Sequence, residues 1–168
     1  ALRRGDFGKI LGADCYSPHT VEPTHPDFGF YGIHGVETLY TLLGTGCEAV
    51  SRIHSPMGDI VSGRWNDGRL GTFRAVVKGP AVYGGTAFTE KGTVAAGGYA
   101  GYKVLLDEIL RYFKSGASPV SKEETLEIFT FMKASNMSLE RGGRTVMMDE
   151  AYAEGMKEAR RLLEAYDE

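Results

Sequence analysis

Asp59-Ile60-Val61-Ser62-Gly63-Arg64-Trp65-Asn66-Asp67-Gly68-Arg69-Leu70-Gly71-Thr72-Phe73-Arg74-Ala75-Val76-Val77-Lys78 is two extended runs joined by a turn. Asn66-Asp67-Gly68 is a strong hairpin signal, because glycine adopts a positive φ without a side-chain clash. The pattern therefore predicts strands over 59–65 and 70–78. Upstream, residues 47–54 carry Ala49, Val50 and Ile53 and read as another strand. Downstream, 83–89 and 93–96 flank Glu90-Lys91-Gly92, a second hairpin. Up to four antiparallel strands in succession, with no helix between them, argue against a doubly wound nucleotide fold and for an α+β domain. Residues 8–16 add a strand ahead of them.

Helical periodicity brackets this block. Val36, Leu39, Tyr40, Leu42 and Leu43 predict a helix over 33–43, stopped at Gly44. Tyr102, Leu105, Leu106, Ile109, Leu110 and Phe113 form an apolar stripe that ends at Gly116. Ser121-Lys122-Glu123-Glu124 is a capping box ahead of Leu126, Ile128, Phe129 and Met132. Gly142-Gly143 breaks that helix, 145–147 read as a short strand, and 149–166 as a terminal helix. The expected fold is a single domain over 1–168, a mixed, mostly antiparallel sheet with helices packed on one face. The opposite sheet face, partly apolar and uncovered, is a natural surface for a homo-oligomer.

Composition excludes several classes. Of 168 residues, 42% are hydrophobic and 24% charged, ordinary for a globular chain. A net charge of −3 gives no footprint for nucleic acid or an anionic membrane. No apolar run approaches the ~20 residues of a membrane span. Cys15 and Cys47 fit neither a zinc pattern nor a disulfide framework and read as buried thiols. The chain opens at Ala1 without an apolar leader and reads as a processed product or a fragment. The cytoplasm is the expected compartment, with secretion or a periplasmic location left open.

The chemistry centres on Phe30-Tyr31-Gly32-Ile33-His34-Gly35-Val36-Glu37. His34 falls in the first helical turn, where the dipole disfavours imidazolium and favours the neutral ring a general base needs. Glu37 lies one turn on. From spacing alone two readings stand, a functional base and a buried histidine with a structural hydrogen bond. Gly32 and Gly35 are expected to leave backbone space for a ligand. The preceding loop, 17–30, holds His25 and Asp27, and its length within a compact domain suits a site. Tyr31, Glu37, His25, Asp27, Tyr99 and Lys103 are the candidate substrate contacts. Against Tyr99 and Lys103 stands the reading that Tyr102 is the first core residue of its helix and Lys103 is solvated. Trp65 is read as packing at a hairpin edge or stacking on a sugar. Arg52, Arg64 and Arg74 are expected on one polar sheet face, mainly in ion pairs. His19, His25, His34 and His54 show no close ligand spacing, so no metal is expected.

The same residues resemble the start of the first helix in the C-terminal domain of the Gfo/Idh/MocA family, the glucose–fructose oxidoreductase and inositol dehydrogenase-like enzymes. Those enzymes commonly carry Asp-x-Gly-x-His-x-x-Asp there. The matching positions here are Phe30, Gly32, His34 and Glu37, so Phe replaces the first acid and Glu the second. The likeness continues through Gly92, Tyr102, Phe113, Gly116 and Pro119-Val120-Ser121, then Glu124-Thr125, Phe131-Met132 and Gly142-Gly143, over roughly residues 5 to 150. The resemblance implies a fold like the C-terminal domain of glyceraldehyde-3-phosphate dehydrogenase. It further implies a substrate-binding and oligomerisation domain of an NAD(P)-dependent oxidoreductase acting on a sugar, polyol or related hydroxy compound, with His34 in the proton role. The NAD or NADP would be held mainly by an N-terminal Rossmann domain of the same protein. This chain has no Gly-x-Gly-x-x-Gly after a strand, so alone it is expected to bind no dinucleotide and to be inactive. The alternative is a stand-alone, non-catalytic module for a carbohydrate or other small ligand.

Overall fold

The structure, a computed structural model, describes residues 5–99 and 101–166. In chain order the elements are β1 (Ile10–Pro18), α1 (Gly32–Leu43), β2 (Cys47–Ser55), β3 (Gly58–Trp65), β4 (Leu70–Val76), β5 (Gly84–Thr89) and β6 (Gly92–Ala96). α2 (Lys103–Ser115), α3 (Lys122–Glu140), β7 (Val146–Met147) and α4 (Met148–Tyr166) complete it. The strands form one sheet in the order β6-β5-β1-β4-β3-β2-β7. The α+β expectation holds, and every expected element is present within a few residues of its predicted ends.

The topology differs from the sequence reading at one place. β4 and β5 are not neighbours, because β1 lies between them, parallel to β4 and antiparallel to β5. Turn signals report local pairing only. The β1–β4 ladder sets Cys15 opposite Phe73, a contact that no local pattern encodes.

Strand alternation sorts the side chains onto two faces. Cys15, Val61, Trp65, Phe73 and Ala75 point to the helices and are buried with Val36, Leu39 and Tyr40 of α1 and Phe131 of α3. Trp65 is fully enclosed and donates Nε1–H to the Gly44 carbonyl at 2.9 Å. It is thus a core residue, and neither an edge-packing nor a sugar-stacking one. Burial pushes both thiols up to about 12, so Cys15 and Cys47 behave as small hydrophobes.

The other face carries transverse rows set by the register. Ile53, Ile60, Arg74 and Tyr16 align in one row, and Ser62, Thr72 and Asp14 in the next. Arg64 and Leu70 follow, with Phe88 across Gly12. No helix covers this face, and Leu70 is 62% exposed there.

α2 corrects a second expectation. Its apolar stripe and its stop at Gly116, which is left-handed, are as predicted. Yet no residue of α2 is buried, and Tyr102 is 71% exposed. Tyr102 is not a core residue. The 3.6-residue period specifies that an apolar face exists, not what covers it.

Candidate functional site

The site is built where β1 hands over to α1. Residues 19–31 cross from the end of β1 to the helix start, and the turn is unusually constrained. Phe28 and Tyr31 both sit at positive φ, 61° and 62°, a costly conformation for bulky residues. The Phe28 carbonyl accepts the Ile33 amide at 2.6 Å, closing the first turn of α1 without a side-chain cap. Ser17 Oγ, from β1, lies 3.1 Å from the Tyr31 carbonyl and 3.2 Å from that of Gly32.

Gly35 has a different purpose from the one expected. A Cβ there would stand 2.3 Å from the Phe73 ring and 2.9 Å from Ser17 Oγ. The glycine lets α1 lie directly on the sheet and leaves no space for a ligand. A Cβ on Gly32 would likewise meet the buried Phe28 side chain, its Cβ at 3.0 Å and its ring at 3.1 Å.

This close packing lifts His34 to the surface. Its side chain is 52% exposed, and Nδ1 lies 3.0 Å from Glu37 Oε2. A carboxylate only accepts, so Nδ1 presents a hydrogen to Glu37, and in the neutral ring that tautomer leaves the Nε2 lone pair outward. Among the described residues Nε2 makes no hydrogen bond. The enclosed histidine of the structural reading is therefore not what the structure holds.

Aromatic rings surround this dyad. Tyr31 and Tyr83 lie with ring centres 6.3 and 6.0 Å from that of His34. Phe30 packs between Tyr31 at 4.6 Å and His25 at 5.4 Å. Tyr99 and Tyr102 pair at 5.9 Å. Burial, followed by the nearness of Tyr31 and Tyr102, raises the Tyr83 phenol. Tyr83, on the link into β5, is a site residue the sequence reading missed. Its only signal is a lone aromatic ahead of Gly84-Gly85.

The other candidates divide. Tyr31 and Glu37 lie against His34, whereas Tyr99 packs on Tyr102 and makes no ring contact with His34 among the described residues. His25 touches it only through Phe30, and its own Nδ1 lies 3.0 Å from Thr24 Oγ1. Lys103 is 85% exposed and paired with Asp107 at 2.7 Å along its own helix. Asp27 is committed elsewhere. Its carboxylate takes Arg52 Nη1, His19 Nε2 at 3.2 Å and the Phe28 amide at 2.9 Å. Burial would raise this carboxyl, but the hydrogen bonds and charges of His19 and Arg52 outweigh it and hold it down at about 2.

Arg52 therefore leaves the polar sheet face expected for it. Arg64 lies on the open face, paired with Glu48 at 3.1 Å, whereas Arg52 points inward. It donates Nε–H to Asp59 Oδ1 at 2.8 Å and Nη1–H to Asn136 Oδ1 at 3.0 Å. A cavity of about 300 Å³ lies beside it, lined by His19, His25, Asp27, His54 and Asp59 among others. Another concavity, of about 890 Å³, runs along α4 past Lys133 and Arg161, away from His34. No group of three or more metal-ligating side chains is assembled among the described residues.

No family model matches the sequence, and no curated protein does. Solved structures match it in fold. A "probable dehydrogenase" of Thermotoga maritima superposes with a TM-score of 0.70 at 18% identity, over 90% of this chain and 60% of its own. The myo-inositol dehydrogenase of Lactobacillus casei, solved with NAD(H) and myo-inositol, gives 0.66 at 13% identity, over 87% of this chain and 56% of its own. The WlbA dehydrogenase of Bordetella pertussis, solved with NADH and UDP-GlcNAcA, gives 0.64 at 18%, over 88% and 57%. At such identities the likeness is one of fold. The chain spans a little under two thirds of the length of these dehydrogenases.

Proposed function

We propose that this chain is the C-terminal substrate-binding and oligomerisation domain of an NAD(P)-dependent oxidoreductase of the Gfo/Idh/MocA type. Its substrate is a sugar, a polyol or a related hydroxy compound. The observation that carries the reading is the His34–Glu37 dyad, with its free Nε2 set among tyrosines at the surface. Such a ring can take the proton of a substrate hydroxyl as its carbon is oxidised, while Glu37 holds the tautomer and balances the charge that arrives. Exposed tyrosines offer flat apolar faces and phenols to a polyhydroxylated ring.

The residues of this chain do not fit a dinucleotide. The one parallel strand pair among the described residues, β1–β4, is reached through the proline-containing 19–31 loop, which cannot form the short glycine turn a pyrophosphate needs. The cofactor belongs with a Rossmann domain of the same protein, and this chain's part is confined to the substrate and its proton. The uncovered sheet face, with Ile53, Leu70 and Phe88 exposed, suits self-association.

Calorimetric titration tests the division of labour. NAD(H) and NADP(H) should give no measurable heat of binding with the isolated chain, whereas micromolar binding would overturn the assignment. Light scattering at micromolar concentration should show a dimer or larger, and a strict monomer would remove the sheet-face interface. Phe30 in place of the family's acid favours the second reading, a non-catalytic binding module. Turnover by the full-length protein separates the two.

A further inference from the structure

We infer that Arg52, which touches neither His34 nor Tyr31, is a positioning residue for the site, acting through Asp27 and Phe28. This rests on the reading of His34 and Tyr31 as substrate-facing. Arg52 is 3% exposed, and its guanidinium joins three parts of the molecule. Nε binds Asp59 of β3, and Nη1 binds Asn136 of α3 together with Asp27 of the 19–31 loop. Its backbone is pinned as well, since the Arg52 amide donates to Ser138 Oγ at 2.9 Å. Its cationic carbon also stands 4.2 Å from the centre of the Phe28 ring.

That ring is the keystone of the strained turn. Phe28 is fully buried, edge-on to His19 at 4.8 Å and to Phe73 at 5.2 Å. Its amide binds Asp27, its carbonyl binds the Ile33 amide, and its own φ is 61°. Three residues on, Tyr31 repeats the positive φ and opens α1, with His34 one turn beyond. Strained residues of this kind persist only where their surroundings over-determine them. Here the over-determination is an ion pair to Asp27 and a cation stacked on Phe28, both supplied by Arg52. The planar, fixed fork suits this use, because one side chain must bond two carboxylates and cover a ring at once.

Residue-resolved amide hydrogen exchange on the folded chain tests the inference, using Arg52→Met and, as the milder variant, Asp27→Asn. The Ile33 amide should exchange roughly tenfold faster or more, relative to amides of β3 and β4, as the turn opens locally. The Tyr31 and His34 resonances should move with it. Equal acceleration across the sheet would reduce Arg52 to a general stabiliser, and an unchanged Ile33 amide in a folded variant would contradict the inference outright. Should Arg52→Met not fold, Asp27→Asn decides alone. Failure of the base assignment itself shows elsewhere, in turnover by His34→Asn, and leaves these exchange rates untouched.

Discussion

Two points in this molecule pair an imidazole with a carboxylate in nearly the same geometry. His34 Nδ1 lies 3.0 Å from Glu37 Oε2, and His54 Nδ1 lies 2.9 Å from Asp59 Oδ1; the rings are 52% and 50% exposed. Neither distance nor ring exposure tells them apart. The second partner of each carboxylate does. Asp59 is 1% exposed, and its Oδ1 also holds Arg52, so its charge is balanced by a buried cation. Glu37 is half exposed and pairs with no cation among the described residues. Its charge is free to answer a proton arriving on His34. One pair belongs to the frame, and the other is available for chemistry.

The sharpest contrast should be in stability. Arg52→Met strands two carboxylates, one of them fully buried, and should cost about 3–5 kcal/mol in urea unfolding. Glu37→Gln removes a solvated partner and should cost under about 1 kcal/mol. Similar losses for both would erase the distinction drawn here.

Acid should act on the frame first. The folded Asp27 carboxyl, at about 2, lies below its ordinary value. Its contribution, on the order of 2 kcal/mol, is therefore present in full above about pH 4 and lost as pH falls through about 2. The stability gap between the parent chain and Asp27→Asn should close over that window in urea titrations. A gap independent of pH would mean the Asp27 charge contributes nothing.

The smallest effect concerns His54. His54→Asn loses one hydrogen bond to a carboxylate that keeps Arg52, and should cost about 1 kcal/mol or less by thermal melting. A loss as large as that of Arg52→Met would make the ring a member of the buried network.

Much of this was legible in the sequence, and what was hidden has a physical pattern. Helix periods, the Asn66-Asp67-Gly68 turn and the Ser121 cap are local signals, and they place nearly every element. The insertion of β1 between β4 and β5 is a long-range pairing, so no turn announces it. Arg52 was grouped with Arg64 and Arg74 because all three lie on adjacent strands. The register instead sets Arg52 opposite Val61, an inward position. Asp59 shares the inward parity of Val61 and Trp65, and that misplaced charge was the available clue to the buried network. His34 and Glu37 meet as their one-turn spacing predicts. The purpose of Gly35 was misread, since the Phe73 ring that needs its space comes from a distant strand. Near the start of α2, Tyr99 pairs with Tyr102, while Lys103 is spent on Asp107.

Turnover by the full-length protein, measured for His34→Asn beside His54→Asn, decides whether the two pairs differ in kind. His34→Asn should lower turnover by roughly 10²–10⁴ with little change in melting temperature. His54→Asn should stay within about threefold of the parent protein, as expected of a group that takes no part in proton transfer. Equal turnover by the two variants, or a His34→Asn variant that melts early yet keeps its rate, would contradict that difference.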